Sequence, residues 1–364
     1  MPGPVVIAAG GTGGHTFPAQ ALAQELAKRG RKIVLMTDDR GHNYAQAFPQ
    51  VDIVTVPSAT FAGRGLVGKG LAFARLGQGA IAAYFALGRL KPSVVVGFGG
   101  YPALPTMFAA ARRGLPSIIH EQNAVLGRVN RWLSPKVTRI AAAFSKLTHL
   151  DPVLQPLVTV TGNPVRPAVI AALRPYAKPD AAFNLLVFGG SQGARVFATL
   201  VPEAIGKLPE GLRKRINLTQ QCRPEDLDAA KARYAVMGLQ PTLASFFTDM
   251  GERLSASHLV ISRAGASTVT ELCAVGRPSI LIPYPFAMDD HQSVNAGQLA
   301  AEGAAWTFKE ADLTAEILAA KVTELAQNPV LLEAAAAKAL SLGRSDAASR
   351  LADLVEEVGG LKRP

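Results

Sequence analysis

The sequence predicts an α/β fold of two domains, each built around a parallel sheet. At 364 residues the chain is long enough for two ordinary domains of about 150 residues each. One pattern, a short apolar run followed by glycines and a helix-like segment, occurs at three places, and such alternation is typical of parallel sheets. Four prolines between Pro164 and Pro179 interrupt the chain, and each half on either side opens with a strand and a glycine loop.

The upstream half begins with the strand Val5–Ile7, which leads into the glycine loop GGTGGH, residues 10–15. A helix is expected to follow, with Pro18 near its first position and Gly30 past its end. The second glycine loop, GFGGYP, follows the strand Val94–Val96. Short apolar runs predict the remaining strands of this half: Lys32–Met36, Ile53–Val56, Ser117–His120 and Val158–Thr161.

The downstream half repeats this plan. The strand Leu185–Phe188 precedes the third loop, GGSQGAR, and further strands are expected at Leu259–Ser262 and Ser279–Pro283. Asn328-Pro329 opens a helix that Gly343 closes, and another helix runs from about Asp346 to Val358. We therefore predict domains at residues 1–163 and 164–344, with a cleft between them. The cleft is the predicted site, because ligands of open parallel sheets bind at the carboxyl ends of strands.

The positive charge of the chain is concentrated in one stretch. The net charge is +11, and residues 53–150 hold twelve basic side chains against the single acidic residue Glu121. Within this stretch, Phe61–Pro92 interleaves apolar and basic residues, which suits an anionic membrane surface. The alternative is an ordinary core beneath a solvated basic face; nucleic acid is disfavoured because no recognised nucleic-acid motif is present.

Other classes of protein are excluded or disfavoured by composition. The chain is 49% hydrophobic and 18% charged, which excludes global disorder. Its two cysteines, Cys222 and Cys273, cannot form a disulfide framework or a short-spaced zinc site, and they fit a reducing compartment. The N-terminus lacks the pattern of a signal peptide. No transmembrane helix is expected, because glycines and prolines break the most apolar window, Val94–Ala111.

The three glycine loops predict binding of an anion or a sugar. GGTGGH does not fit the dinucleotide fingerprint, which would need glycine at Thr16, and the formal match at Gly63, Gly65 and Gly68 does not follow a strand. Glycine lets backbone N–H groups at a helix N-terminus approach a phosphate closely. A tight strand-to-helix turn is the alternative for any one loop.

Several polar residues are candidates for chemistry. His15 precedes a helix, whose positive end disfavours imidazolium, so the ring is expected to be neutral and able to accept a proton. Residues 120–123, HEQN, form a polar cluster after a strand. Glu271 either forms a capping box with Thr268 or accepts hydrogen bonds from a ribose diol. Asp289, Asp290 and His291 mark a helix start rather than a metal site.

Seven motifs together resemble the MurG family of bacterial cell-wall synthesis, which belongs to glycosyltransferase family 28. They run in order from Gly10 to about Ala296: GGTGGH, GFGGYPALP, HEQNAVLGRVNR, GNPVR, GGSQGAR, SRAGASTVTEL and DDHQSVNA. The resemblance implies a GT-B fold of two Rossmann-like domains facing a central cleft, with the C-terminal helix, about residues 345–364, packing on the first. It implies transfer of N-acetylglucosamine from UDP-N-acetylglucosamine to the muramoyl 4-hydroxyl of lipid I, with inversion, giving lipid II for peptidoglycan synthesis.

The resemblance also assigns roles to residues. His15, Glu121 and Asn123 would line the acceptor side. A base must approach the acceptor hydroxyl, and we choose His15 for this role, with Glu121 as the next candidate. Glu271 would hold the ribose, the loop of Ser191 the diphosphate, and the Phe247 backbone the uracil. The donor contacts are Thr12, Gly13, Gly14, Asn123, Arg166, Ser191, Phe247, Ala266, Ser267, Thr268, Val269, Thr270, Glu271 and Gln292.

The resemblance implies an enzyme that acts peripherally at the cytoplasmic face of the inner membrane, with roles in cell shape and division. Helix N-termini and Arg166 can stabilise the charge on the departing UDP without a metal ion, and no cofactor is expected. Two positions depart from some relatives, in which Ala264 is serine and His291 is glutamine. Rival hypotheses are a lipid glycosyltransferase acting on diacylglycerol, a UDP-N-acetylglucosamine 2-epimerase of the same architecture, and a non-catalytic binder of nucleotide sugars or nucleic acid.

Overall fold

The computed structural model describes residues 2–11, 13–39, 48, 51–60, 65–190 and 193–362. The chain divides into two compact units. Unit 1 comprises residues 1–166 and 344–364, and unit 2 comprises residues 167–343. The domain boundaries predicted from the sequence lie between residues 163 and 164 and between residues 344 and 345. Arg166 therefore lies in unit 1, because the helix-disfavouring pairs Asn163-Pro164 and Arg166-Pro167 delay the first helix of unit 2 until Pro167.

Unit 1 is built on a parallel sheet, which has seven strands in the described part of the chain, in the order β3-β2-β1-β4-β5-β6-β7. The strands are β1 (Val5–Ala8), β2 (Ile33–Thr37), β3 (Asp52–Thr55), β4 (Val94–Gly97), β5 (Ser117–Glu121), β6 (Arg139–Ala142) and β7 (Val158–Val160). The helices are α1 (Gly13–Lys28), α2 (Leu66–Leu90), α3 (Gly100–Arg112), α4 (Arg128–Leu133) and, from the end of the chain, α14 (Ala347–Val358).

Apolar residues cover both faces of this sheet. Val5 and Ile7 point into a cluster with Leu22 and Leu26 of α1 and Leu351 of α14. Val6 and Ala8 point to the opposite face, into a cluster with residues of α2 and α3. A strand buried on both faces is apolar at every position, which explains why β1 and β4 are unbroken apolar runs.

Unit 2 has the same plan, with six parallel strands described in the order β10-β9-β8-β11-β12-β13. The strands are β8 (Phe183–Phe188), β9 (Ile216–Gln221), β10 (Thr242–Ala244), β11 (Leu259–Ser262), β12 (Ser279–Leu281) and β13 (Ala305–Thr307). The helices are α5 (Pro167–Ala171), α6 (Phe197–Gly206), α7 (Glu210–Arg215), α8 (Leu227–Val236), α9 (Met250–Ala256), α10 (Ala266–Ala274), α11 (His291–Ala301), α12 (Ala315–Gln327) and α13 (Pro329–Leu342). Cys222 and Cys273 are both buried and free in this unit.

Two helix starts differ from the prediction. Helix α1 begins at Gly13, so Pro18 lies inside the helix and His15 lies in the first turn rather than before it. The N–H that Pro18 lacks would have bonded to the carbonyl of Gly14, and this loss is tolerated so close to the helix end. Helix α10 begins at Ala266, with Gly265 as its N-cap, two residues before the predicted start.

Helix α2 was not predicted from the sequence. By length and composition alone, Val67–Leu90 would suffice to cross a bilayer, and 33% of its most apolar window is buried. The expectation that the chain has no transmembrane helix rests on the window 94–111, which lies outside this helix. The helix packs along α3, and a Cβ added at Gly79 would lie 1.9 Å from the carbonyl oxygen of Pro57, so glycine is required at that contact.

Helix α14 joins unit 1 through a buried carboxylate as well as through apolar packing. Glu356 is 1% exposed, and its two oxygens accept from Arg29 Nη1 at 2.9 Å and from Arg31 Nε at 2.7 Å. Arg29 also donates to Asp353 at 2.7 Å and to Ser349 Oγ at 2.7 Å. A buried carboxylate is tolerated only when it is paired in this way, so the cluster specifies where α14 docks.

We predict that Glu356→Gln destabilises unit 1 by about 3 kcal/mol, because it leaves two guanidinium groups without their buried counter-charge. Trp132 lies in unit 1 and Trp306 in unit 2, so Trp132 fluorescence in a Trp306→Phe background reports urea unfolding of unit 1. Asp353→Asn is the control, since Asp353 pairs with the same Arg29 at a more exposed position and should cost below about 1 kcal/mol. Equal losses in the two variants would contradict the anchoring role of Glu356.

Candidate functional site

The polar residues of unit 1 gather at the carboxyl edge of its sheet. The strands are parallel, so the loops after β1, β4 and β5 all leave from the same edge. Helix α1 packs on one face of the sheet and α3 on the other, so the chain changes face between β1 and β4. The crevice outside the strand ends at such a point is where open α/β sheets bind ligands.

His15 lies in the first turn of α1 at this edge. Its ring is half-buried, and Nδ1 lies 3.1 Å from Oε1 of Gln122, in the loop after β5. On the other side, a Cβ added at Gly100 would lie 3.3 Å from Nε2 and Cδ2 of the ring. Gly100 has a φ of 70° at the start of α3, so the ring is held between the N-terminal ends of two helices.

Glu121, the second candidate for the base, has a different environment. It is 2% exposed, and its Oε1 accepts from Asn123 N at 3.0 Å and Asn123 Nδ2 at 3.4 Å. Its Oε2 accepts from Gly127 N and Asn130 Nδ2, both at 2.9 Å. A carboxylate that receives four hydrogen bonds holds a loop together. The geometry therefore gives Glu121 a structural role, and the choice of His15 as the base stays a prediction.

His120 is buried on the far side of Gln122. Its Nε2–H donates to the carbonyl of Gly162 at 3.1 Å, and its Nδ1 accepts from Gln122 Nε2 at 3.0 Å. Burial lowers the pKa of His120 to about 4, partly offset by the bond to Gly162, and His15 lowers it further. The ring is consequently neutral across the physiological range of pH.

The other predicted residues of unit 1 lie beside these. Gly13 approaches Phe17 so closely that an added Cβ would lie 2.7 Å from Cε2 of that ring, and Gly14 is half-buried in the same turn. The guanidinium of Arg166 lies 5.0 Å from the centre of the Phe17 ring. Arg166 thus sits beside the first glycine loop and adds a positive charge there. Thr12 lies outside the described residues.

In unit 2 the corresponding loops follow β8 and β11. A Cβ added at Gly189 would lie 2.3 Å from Ala194 N, so this turn accepts only glycine. The N–H of Gly189 donates to Gln221 Oε1 at 3.1 Å, which ties the loop to β9. Ser191 lies outside the described residues, so the predicted contact of its loop with a diphosphate remains a prediction.

Helix α10 carries the predicted stretch from Ala266 to Glu271. Since the helix begins at Ala266, Thr268 is its third residue and not its N-cap, and the capping-box explanation of Glu271 is wrong. Glu271 is 5% exposed in the second turn. The Oγ of Ser267 is buried in the first turn and has no hydrogen-bond partner among the described residues, whereas Thr270 Oγ1 bonds to Ala266 O at 2.7 Å. Thr268 and Val269 are buried.

Gln292 connects two loops of unit 2. Its Oε1 accepts from Ala264 N at 3.2 Å and Tyr284 N at 2.9 Å, so the amide spans the ends of β11 and β12. Phe247 is buried in the loop after β10, with the Arg253 guanidinium 4.2 Å from its ring centre. Asp289 and Asp290 precede α11, which begins at His291, so the predicted helix start is confirmed. Across the described residues, no three His, Cys, Asp or Glu side chains are grouped to hold a metal.

Two important residues were not assigned roles from sequence. Gln122 was noted only as part of the polar run after β5, and the partner of its amide oxygen is 107 positions away. Asn130 was not singled out, yet its Nδ2 donates to both His120 O and Glu121 Oε2. It lies inside the motif HEQNAVLGRVNR, nine residues after Glu121, but no local spacing pattern assigned it a role.

Comparison with known proteins identifies the family of both units. Residues 5–142 match the glycosyltransferase family 28 N-terminal domain, and residues 184–355 match the glycosyltransferase family 28 C-terminal domain. A relative from Rhodospirillum centenum is 51% identical over 361 residues, covering 98% of this chain and 95% of the relative. That relative is named UDP-N-acetylglucosamine–N-acetylmuramyl-(pentapeptide) pyrophosphoryl-undecaprenol N-acetylglucosamine transferase.

Comparison with solved structures supports the same family. The crystal structure of MurG from Acinetobacter baumannii is similar with a TM-score of 0.80 and 30% identity, covering 98% of this chain and 100% of that one. The crystal structure of a UDP-N-acetylglucosamine 2-epimerase from Neisseria meningitidis matches with a TM-score of 0.69 at 13% identity, covering 98% of this chain and 100% of that one. The second likeness shows a shared fold alone. The predicted fold, two Rossmann-like parallel-sheet domains of the GT-B type, is confirmed.

The buried His120 makes the stability of unit 1 depend on pH. Its pKa is about 4 in the folded chain and near 6.5 when unfolded, so the unfolded state binds the proton first as the pH falls. The free energy of unfolding of unit 1 therefore has its full value, as far as His120 determines it, above pH 6.5, and it decreases by roughly 3 kcal/mol down to pH 4. We predict that His120→Gln, which does not titrate, flattens the Trp132-detected urea stability between these values. Identical pH dependence in parent and variant would show that the folded state tolerates a charged His120.

Proposed function

The chain belongs to glycosyltransferase family 28, and from this premise we propose that it transfers N-acetylglucosamine from UDP-N-acetylglucosamine to lipid I, giving lipid II. The acceptor is the 4-hydroxyl of the muramoyl sugar, and the configuration at the anomeric carbon inverts. The product serves peptidoglycan synthesis, and through it cell shape and division.

The observation that carries this proposal is the 51% identity over nearly the whole chain to a relative named for this reaction. Identity at that level extends over both units, whereas the 2-epimerase shares the architecture at 13% identity. Fold alone supports many reactions, so the choice between them rests on the chain-long identity and on the site residues.

Unit 2 supplies groups suited to the donor. Backbone N–H groups at the start of α10 and in the Gly189–Gly190 turn can bind the diphosphate, as helix N-termini and glycine turns commonly do. The buried Ser267 hydroxyl can donate to an oxyanion, and Glu271 accepts from the ribose diol. Gln292 and the backbone near Phe247 complete the contacts with the donor, on its sugar and its uracil.

Unit 1 supplies the base and part of the charge stabilisation. The half-buried imidazole of His15 removes the proton of the acceptor hydroxyl, since the carboxylate of Glu121 is occupied by four donors. Helix N-termini and the guanidinium of Arg166 stabilise the negative charge that develops on the departing UDP. No step in this scheme requires a metal ion or a cofactor.

We further propose that unit 1 docks on the cytoplasmic face of the plasma membrane as a peripheral protein. Helix α2 exposes large apolar side chains along one side, among them Phe73 at 73%, Ile81 at 62% and Phe85 at 61%. Ile81 and Phe85 line a shallow depression of about 400 Å³ together with Phe108 of α3. Arg112 lines the same depression, and Arg113 packs 4.4 Å from the ring centre of Tyr84. Apolar side chains bordered by basic ones suit an anionic lipid surface.

The activity is tested by incubating the purified chain with radiolabelled UDP-N-acetylglucosamine and one acceptor at a time. Label is expected to pass to lipid I and not to diacylglycerol, and no epimer of the donor should form without acceptor. An RNA-binding control should give no retention at physiological salt. Transfer to diacylglycerol, or epimerisation alone, would replace the proposal with one of the rival functions.

We predict that His15→Ala lowers kcat by at least ~100-fold, the lower bound for loss of a positioned base, and leaves the KM for UDP-N-acetylglucosamine nearly unchanged. His149→Ala is the matched control, because His149 is an exposed histidine of the same unit and should retain full turnover. Near-normal turnover of the His15→Ala variant would reject His15 as the base.

We predict that the double variant Ile81→Glu, Phe85→Glu weakens binding to vesicles of phosphatidylcholine with phosphatidylglycerol by at least tenfold. Each side chain contributes ~1.5–3 kcal/mol when fully buried, and a tenfold change corresponds to about 1.4 kcal/mol. Val236→Glu, at a 90% exposed position in unit 2, serves as the control and should bind normally. Binding that is unaffected by the double variant, or equal on neutral vesicles, would contradict docking through this face.

A further inference from the structure

We propose that Gln122 is a positioning residue that fixes His15 in the tautomer protonated on Nδ1, so that Nε2 faces the acceptor hydroxyl as a proton acceptor. The inference rests on the proposed function, in which His15 is the base. It assigns the choice of reactive nitrogen to an amide that touches neither substrate.

The orientation of the Gln122 amide is determined by its surroundings. Gln122 is 1% exposed, and its Nε2 lies 3.0 Å from two backbone carbonyl oxygens, those of Phe98 and His120. Carbonyl oxygens only accept, so the NH₂ end of the amide must face them. The carbonyl end, Oε1, is therefore the atom that meets His15.

His120 reinforces this orientation. Its Nε2 is opposite the carbonyl of Gly162 and must donate, which leaves Nδ1 as a lone pair facing Gln122 Nε2 at 3.0 Å. A flipped amide would place Oε1 against two carbonyl oxygens and this lone pair. Three unfavourable contacts in a buried site exclude the flip. Burial keeps His120 neutral, which preserves the acceptor at its Nδ1.

The tautomer of His15 follows from the amide. Its Nδ1 lies 3.1 Å from Oε1 of Gln122, an atom that can only accept, so Nδ1 carries the proton. Nε2 then holds the lone pair on the side of the ring that approaches Gly100. An acceptor on one ring nitrogen that directs the other toward substrate is the arrangement by which histidine bases are held in their reactive tautomer.

The reaction step is balanced with this assignment. The oxygen of the muramoyl 4-hydroxyl forms a bond to the anomeric carbon of the donor, and its proton passes to Nε2 of His15. The bond between the anomeric carbon and the diphosphate oxygen breaks, and UDP leaves with the electron pair. His15 becomes an imidazolium whose Nδ1–H still donates to Gln122, so the amide stabilises the charge that develops on the ring.

The test combines a tautomer measurement with kinetics. The protein is labelled with ¹⁵N-histidine, and the His15 ring is identified by the signal lost in His15→Ala. Above neutral pH, the wild-type ring should carry its proton on Nδ1. In Gln122→Met, which removes the acceptor, the ring should populate the Nε2–H form, and kcat should fall at least ~10-fold with the KM for UDP-N-acetylglucosamine unchanged.

Two further variants separate positioning from simple structural damage. Gln122→Glu keeps an acceptor for Nδ1, and its other oxygen replaces Nε2 beside the carbonyl oxygens of Phe98 and His120. Burial beside these acceptors favours the protonated carboxyl, whose O–H can donate to one of them. This variant should therefore retain the Nδ1–H tautomer and recover at least ~10-fold in kcat over Gln122→Met. Gln220→Met removes a buried amide of unit 2 that donates to Phe197 O and accepts from the Tyr234 hydroxyl. This control makes the same chemical change elsewhere and should leave the His15 tautomer and kcat near wild type.

The outcomes are distinguishable from failure of the proposed function. If the wild-type ring is protonated on Nε2, or if Gln122→Met leaves Nδ1 protonated, the positioning role is overturned whatever the activity. If no lipid I is turned over, the proposed function fails while the tautomer measurement still decides the role of Gln122. Should Gln122→Met not fold, the wild-type and Gln122→Glu spectra and the kinetics of Gln122→Glu decide it.

Discussion

The parallel direction of the strands is the constraint on which both candidate sites depend. It brings every strand of a unit to its carboxyl end at one edge, so the loops there are crowded and their backbones approach one another closely. Only glycine fits at the most crowded positions of these loops. A Cβ at Gly10 would lie 2.8 Å from Thr37 Oγ1, and one at Gly189 would lie 2.3 Å from Ala194 N. Turns without side chains expose backbone amides, so the residues that allow the fold to close also provide groups that bind anions.

Most of the strands and glycine loops could be predicted because their signals are local. A strand buried on both faces is an apolar run whatever its neighbours, as β1 and β4 show. The prediction of helices was incomplete or wrong where tertiary contacts determine the structure. No secondary structure was predicted for Phe61–Pro92, where α2, a helix of 25 residues with five glycines, packs against α3 and approaches Pro57. The start of α10 differed by two residues, and that difference alone created the capping box wrongly proposed for Glu271.

Burial together with hydrogen-bond saturation separates structural polar groups from reactive ones in unit 1. Glu121 and Glu356 are both nearly inaccessible, and each uses its two oxygens on donors of the protein. A carboxylate in that state has no lone pair directed at a substrate. His15 is half-buried, with one nitrogen occupied by Gln122. The sequence favoured His15 through its place beside a helix N-terminus, but it could not show that Glu121 is occupied, because the donors to Glu121 belong to the backbone and to a helix further along the chain.

The supports of His15 extend beyond its own loop to the end of the chain. Gln122 holds the ring, His120 holds Gln122, and the carbonyl of Gly162 holds His120. Gly162 has a φ of 80°, and a Cβ there would lie 2.8 Å from Cβ of Arg344 and 3.1 Å from Cβ of Ala347, at the start of α14. Helix α14 is in turn anchored to α1, the helix that carries His15, through Glu356 and the arginines that follow α1. His15 is thus supported by a continuous chain of contacts within one unit, and residues 344–364, which belong to this unit although they lie at the other end of the chain, supply its last members.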